Sequence, residues 1–298
     1  MIKFRSFIPL LLAFFLLQAC KSTADEDYDE KLIIYTSIYP LSYLATEIAG
    51  DYASVQSVIP AGVDAHTYEP TSKEITAIAR ADAFIFIGGH MESFSETIAK
   101  ALANENAHLI AMRDYEELFM MDDKVTDDPH IWLDPLRMIE MGEIVTEELS
   151  ALAPDFAPHF EQNFNRLEEN LQSLDESFHT MFAHKSNKEV IVAHAAYGYW
   201  EDRYGLEQIA ISGISSSDEP SQQELVDIAK LAEAHDLQYI LISQTGSNRL
   251  TKIMQDQLDA NVRTIHDLEV LTEEDMKNNE DYMTLMEQNI EVLNEVLR

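Results

Sequence analysis

The chain has 298 residues, with 54 acidic side chains against 20 basic ones and a formal charge of −34, which excludes nucleic acid and anionic membrane surfaces as electrostatic partners. Its single cysteine, Cys20, excludes a disulfide framework and a thiolate metal site in the rest of the chain. Any bound metal must then be held by histidines and carboxylates, and the acidity itself reads as a solvated surface.

In chain order, Lys3 and Arg5 precede an apolar run from Ser6 to Leu17, the form of an export signal that is too short to span a bilayer. The run ends at Leu17-Gln18-Ala19-Cys20, where a small residue before cysteine suits a bacterial lipoprotein processing site. Residues 1–19 are expected to be removed, leaving Cys20 as an acylated first residue and a mature chain of 279 residues at −36. Polar, acidic residues 20–30 read as a tether to that anchor. No later apolar stretch reaches eighteen residues, so a role in transport requires a membrane partner.

Order is expected from about Leu32. Short β-rich runs at Leu32–Thr36, Ser54–Ile59 and Ala83–Ile87 alternate with helical patterns, and the alternation returns at Glu189–Ala193, Gln208–Ile211, Tyr239–Ser243 and Val262–Ile265. That pattern predicts an α/β fold of two βαβ-type lobes with mostly parallel sheets, over residues 31–155 and 187–298. Glu69-Pro70-Thr71 with Glu74 is echoed by Glu219-Pro220-Ser221 with Glu224, each with the chemistry of a capped helix start. Between the lobes, Phe160, Phe164, Leu167, Leu171, Leu174, Phe178 and Met181 recur at steps of four and three. They predict one long amphipathic helix from Phe156 to His184, within a connecting segment 156–186, lying against both lobes of a monomer. A stiff helical connection predicts a small opening motion between the lobes.

Of ten histidines, His108, His159, His179, His184 and His235 have no companion ligand nearby in sequence, and His90 follows Gly88-Gly89 on a loop leaving a strand. His66 lies in the loop after the second predicted strand and His194 directly follows the strand Glu189–Ala193, and ligands of open α/β sheets collect at such strand ends. His130 sits in Asp128-Pro129-His130-Ile131-Trp132-Leu133-Asp134-Pro135, where two prolines fix the backbone. Asp134 is the expected carboxylate to orient its ring.

At these segments the chain resembles the solute-binding lipoproteins of zinc and manganese ABC transporters, of the ZnuA, AdcA and TroA type. The matching stretches are Ala61 to Pro70, Asp128 to Pro135, Ala193 to Trp200 and Ile211 to Ile214, leading into Glu219-Pro220-Ser221. The resemblance implies a metal site in the cleft between the lobes, with His66 and His130 from the first lobe and His194 from the second. A fourth, acidic ligand is implied near the C-terminal end, where Glu269 is expected, with Asp267 and water as alternatives. The sequence departs from the pattern at Asp122-Asp123-Lys124-Val125-Thr126-Asp127-Asp128, where many zinc-binding members carry a His-rich loop, and at Ser216, where the family often has proline.

Three imidazoles and one carboxylate suit tetrahedral Zn2+, whereas Mn2+ is better served by more oxygen. The resemblance therefore implies capture of Zn2+ for a membrane permease and its cytoplasmic ATPase, with Mn2+ the alternative cargo. A zinc-dependent hydrolase is the rival class, but the sequence contains no His-Glu-x-x-His helix and no Gly-x-Ser-x-Gly elbow.

Overall fold

The computed structural model describes residues 31–89, 91–102, 107–245 and 249–298. The export signal, Cys20, the tether and His90 lie outside the described residues.

The first lobe begins with β1 (Leu32–Thr36), α1 (Tyr39–Ala49), β2 (Ala53–Ser57), α2 (Ser72–Ile78), β3 (Ala83–Phe86), α3 (Ser93–Leu102) and β4 (His108–Ala111). Its sheet has the order β2-β1-β3-β4, and every pairing is parallel. A two-residue hairpin, β5 (Met120–Met121) with β6 (Lys124–Val125), follows, and α4 (Pro135–Leu152) leads into α5 (Ala157–Ala183). The second lobe contains β7 (Glu189–His194), α6 (Gly198–Tyr204), β8 (Glu207–Ser212), α7 (Gln222–Ala234), β9 (Tyr239–Ile242), α8 (Arg249–Leu258) and β10 (Asn261–Thr264), then α9 (Glu273–Asn278) and α10 (Tyr282–Val296). Its order is β10-β9-β7-β8, again parallel.

Counted within each lobe, both sheets have the order second, first, third, fourth, so the lobes share one topology. The short echo in the sequence marks equivalent places. Thr71 and Ser221 each accept a hydrogen bond from the backbone of a glutamate three residues on, whose side chain returns to the cap, and these boxes open α2 and α7.

The expected long helix is present as α5, one residue shorter at each end than the periodicity predicts. At about 1.5 Å per residue it runs about 40 Å. Phe160, Leu167, Leu171, Leu174, Phe178 and Met181 are buried along it, and it packs against α1 and α4 on one side and α6 and α10 on the other. The reading missed β4, whose His108 ring pairs with Glu148 at 2.6 Å. In the acidic segment, Asp122 and Asp123 adopt positive φ and form the tight turn of the β5–β6 hairpin. No helix among the described residues is long and apolar enough to cross a membrane.

Candidate metal site

His194 is the last residue of β7, level with Ser212 of β8, at the carboxyl end of a strand next to the point where the order of the sheet reverses. In open α/β sheets this is where ligands are received. His66 lies in the loop between β2 and α2. That loop turns at Gly62 (φ 72°) and hydrogen-bonds through Gly62 N–H to the carbonyl of Leu271, and the Asp64 carboxylate accepts the backbone N–H and the hydroxyl of Thr67, three residues on.

His130 occupies the turn before α4. The Asp128 carboxylate accepts both the His130 backbone N–H at 3.0 Å and the ring Nδ1 at 2.7 Å. The Nδ1 atom therefore carries a proton in either form of the ring, which leaves Nε2 as the nitrogen that can offer a lone pair to the cleft once the ring is neutral. This corrects the expectation for Asp134, which caps α4 by accepting Leu136 N–H and pairs with Arg203 and Arg137. The spacing Asp-x-His brings carboxylate and ring together across one turn, and an acid four residues later has already entered the helix.

Glu269 follows β10 on a segment that turns through Leu268, a leucine at φ 60°. Its Oε1 atom lies 3.3 Å from Nε2 of His66, 3.5 Å from Nε2 of His130 and 3.7 Å from Nε2 of His194. All four atoms are buried and none makes a hydrogen bond. Buried polar atoms normally find partners, and these four, facing one point, could hold a cation together. One ligand atom from each residue lies within 4.8 Å of the others. Ligand distances of about 2.0–2.1 Å put the edges of a tetrahedron at about 3.3–3.4 Å, so the contacts to Oε1 are already close to those of a bound ion.

The electrostatics agree. Burial opposes the Glu269 carboxylate, yet the three surrounding imidazoles hold its pKa well below the usual range. Burial likewise opposes a charged His130, but Asp128 and then Glu269 outweigh it and raise the ring to about 9. Asp267 is buried nearby, its carboxyl pushed up by burial and by the charge of Glu269. It accepts Glu269 N–H at 3.4 Å and is not among the converging ligand atoms.

The other described histidines stand apart from the cluster. His159 packs on Tyr52, His179 sits edge-on to Tyr204, and His235 pairs with Glu189. Asp122 and Asp123 are exposed and outside it. Two features escaped the sequence reading. Ser216 donates to Asp64 Oδ2 at 2.6 Å, tying a loop of the second lobe to the loop that carries His66. The segment bearing His130 is also tied into the second half of the chain by buried aromatic donors. Tyr199 OH reaches Asp128 O (2.9 Å), Trp200 Nε1 reaches Leu133 O (2.6 Å), Tyr282 OH reaches Trp132 O (2.7 Å), and Trp132 Nε1 itself donates to Asp267 O (2.7 Å).

Gly198, at the start of α6, supports the same arrangement. A Cβ there would stand 2.5 Å from Asp128 Oδ2 and would push the carboxylate off His130. Gly198→Ala is expected to weaken metal binding about 10–100-fold, the usual effect of losing a ligand's hydrogen-bond partner. Competition with a chromophoric chelator measures this, and Asp128→Ala should give a loss of the same size.

The sequence profile of the family described as zinc-uptake complex component A, periplasmic (ZnuA) matches residues 34–296. The zinc-binding lipoprotein AdcA of Streptococcus pneumoniae is 33% identical over 296 residues, which are 95% of this chain and 58% of AdcA, so the chain spans little more than half the length of that relative. The high-affinity zinc uptake system protein ZnuA of Bacillus subtilis is 27% identical over 315 residues, 99% of this chain and 98% of its own length. Among solved structures, the Zn(II)-bound ZnuA-like domain of Streptococcus pneumoniae AdcA superposes with a TM-score of 0.77 at 32% identity, covering 90% of this chain and 99% of that domain.

Proposed function

The chain belongs to the family of periplasmic component A of zinc-uptake complexes, and from that premise we propose that it captures Zn2+ outside the cytoplasm and delivers it to a membrane permease driven by an ATPase. The observation that carries the reading is the convergence of four orphaned, buried atoms, Nε2 of His66, His130 and His194 and Oε1 of Glu269. Three nitrogens and one carboxylate oxygen favour zinc over manganese, which prefers an oxygen-rich set. The zinc-binding descriptions of the AdcA and ZnuA relatives point to the same cargo.

Capture suits this site better than turnover. With four ligand atoms crowded around one point, no position is kept open for a catalytic water, which hydrolytic zinc sites require. Acylation at Cys20 would hold the protein at the outer face of the cytoplasmic membrane, with residues 20–30 as tether. Residues 31–155 and 187–298 would act as the two lobes and 156–186 as their stiff connection.

A direct test is zinc titration of the metal-free protein at two pH values. With its ring held at about 9, His130 is charged below that pH in the metal-free protein, and only the neutral ring binds zinc. Zinc must therefore displace at least one proton, and affinity should rise about tenfold per pH unit for each proton displaced. Binding at pH 5.5 is expected to be at least ~100-fold weaker than at pH 7.5. Equal affinities at the two values would contradict a histidine-based site.

A further inference from the structure

We infer that His266, which is not a ligand, sets the position of Glu269 and thereby the completeness of the metal site; the inference rests on the reading of Glu269 as a ligand. His266 is buried, and both ring nitrogens are engaged. Its Nε2 lies 3.1 Å from Oδ2 of Asp275, and its Nδ1 lies 3.0 Å from the backbone N of Leu268. A peptide nitrogen is always the donor, so Nδ1 is the acceptor and Nε2 carries the proton donated to Asp275.

Asp275 is itself fixed. It closes the capping box of α9, accepting both the backbone N–H and the hydroxyl of Thr272. On the other side, the Asn289 side chain of α10 accepts the His266 backbone N–H at 2.7 Å and donates to its carbonyl at 2.8 Å. His266 is thus clamped from α9 and α10 and offers one free lone pair to the peptide that follows.

That peptide is the point of strain. Leu268 has φ 60°, a left-handed conformation that is strained for a residue with a Cβ. The turn reverses the chain so that the Leu268 side chain enters the core while the next residue, Glu269, faces the three imidazoles. The Nδ1 bond to Leu268 N–H holds the turn in place. Without it the strained backbone relaxes, and Oε1 leaves its position. The single-site spacing hides this role, because His266 belongs to no motif of the cleft.

The test is a double-mutant cycle on the full folded chain, with zinc affinity read by chelator competition and cobalt as a spectroscopic probe. Glu269→Ala should weaken zinc markedly; if it does not, the reading of Glu269 fails before His266 is in question. Given that effect, His266→Ala is expected to weaken zinc about 10–100-fold and to lower the intensity of the visible bands of bound cobalt, as four-coordination is lost. In a Glu269→Ala background, His266→Ala should cost almost nothing further, because both substitutions remove the same ligand. His266→Asn should stay within about threefold of the parent, since the amide oxygen can take the place of Nδ1 as acceptor for Leu268 N–H while losing Asp275. The inference is overturned by any of three results: an unchanged affinity in His266→Ala, an undiminished loss in the Glu269→Ala background, or an Asn variant as weak as the Ala variant.

Discussion

Replacing His194 with alanine is expected to weaken zinc binding by two to three orders of magnitude while leaving the metal-free fold intact. Structural zinc sites contribute ~10–16 kcal/mol in total. Shared among four ligands this is about 3–4 kcal/mol each, or roughly 100- to 1,000-fold. His194 is the informative choice among the three imidazoles for two reasons. It ends β7, so its backbone is held by parallel pairing to β8 and survives the substitution. Its Nε2 also makes no hydrogen bond in the metal-free protein, with Glu269 Oε1 3.7 Å away, so the substitution breaks no hydrogen bond of that atom. His130→Ala should cost at least as much in affinity but also leaves Asp128 buried without its ring partner, which destabilises the metal-free protein. Chelator competition for zinc and thermal melting without metal separate these effects. A His194→Ala protein with unchanged affinity and a lowered melting temperature would assign His194 to the fold instead of the site.

Replacing Trp200 with alanine is expected to produce the opposite pattern, a large loss of stability. Trp200 is completely buried, its ring 5.3 Å from that of Phe178 on α5 and 4.9 Å from that of Tyr197. Its indole N–H closes a 2.6 Å bond to Leu133 O. Truncating a buried tryptophan costs about 3–5 kcal/mol through lost burial and the cavity left behind, and the orphaned Leu133 carbonyl adds to it. In a domain of this size each kilocalorie lowers the melting temperature by roughly 2–4 °C, so a drop of about 6–20 °C is expected. Trp200→Phe keeps most of the ring and loses the hydrogen bond, so it should fall between. Trp200, Tyr199 and Tyr282 together pin the turn that carries His130. Zinc should therefore recover part of the lost melting temperature in Trp200→Ala, since an ion that binds only the folded state stabilises it by mass action.

Much of this architecture is legible in the sequence, for physical reasons that differ between elements. The parallel strands β1, β3, β7 and β9 are short apolar runs rich in β-branched and aromatic residues, and α5 announces itself because a helix packed on both lobes needs an apolar stripe along its whole length. Capping boxes act within four residues, so Thr71 and Ser221 could be read directly. The strand β4 is short, and its His108 faces Glu148 instead of the core, so periodicity does not mark it. Histidines at strand ends were visible as a class, while the choice of His66, His130, His194 and Glu269 came from the family resemblance. What remained hidden depends on distant parts of the chain. Asp128 rather than Asp134 holds His130 because Asp134 is drawn to the helix start and to Arg203. The roles of Tyr199, Trp200 and Tyr282 follow only once segments about 70–150 residues apart meet, and the left-handed turn at Leu268 has no glycine to signal it.

Crystallography of protein purified without metal-affinity chromatography, with diffraction recorded on both sides of the zinc absorption edge, locates the bound ion and its ligands. A single anomalous peak is expected in the cleft, about 2.0–2.2 Å from Nε2 of His66, His130 and His194 and from Oε1 of Glu269. A strong zinc peak held by other residues, or zinc-replete crystals with these four atoms vacant, would contradict it.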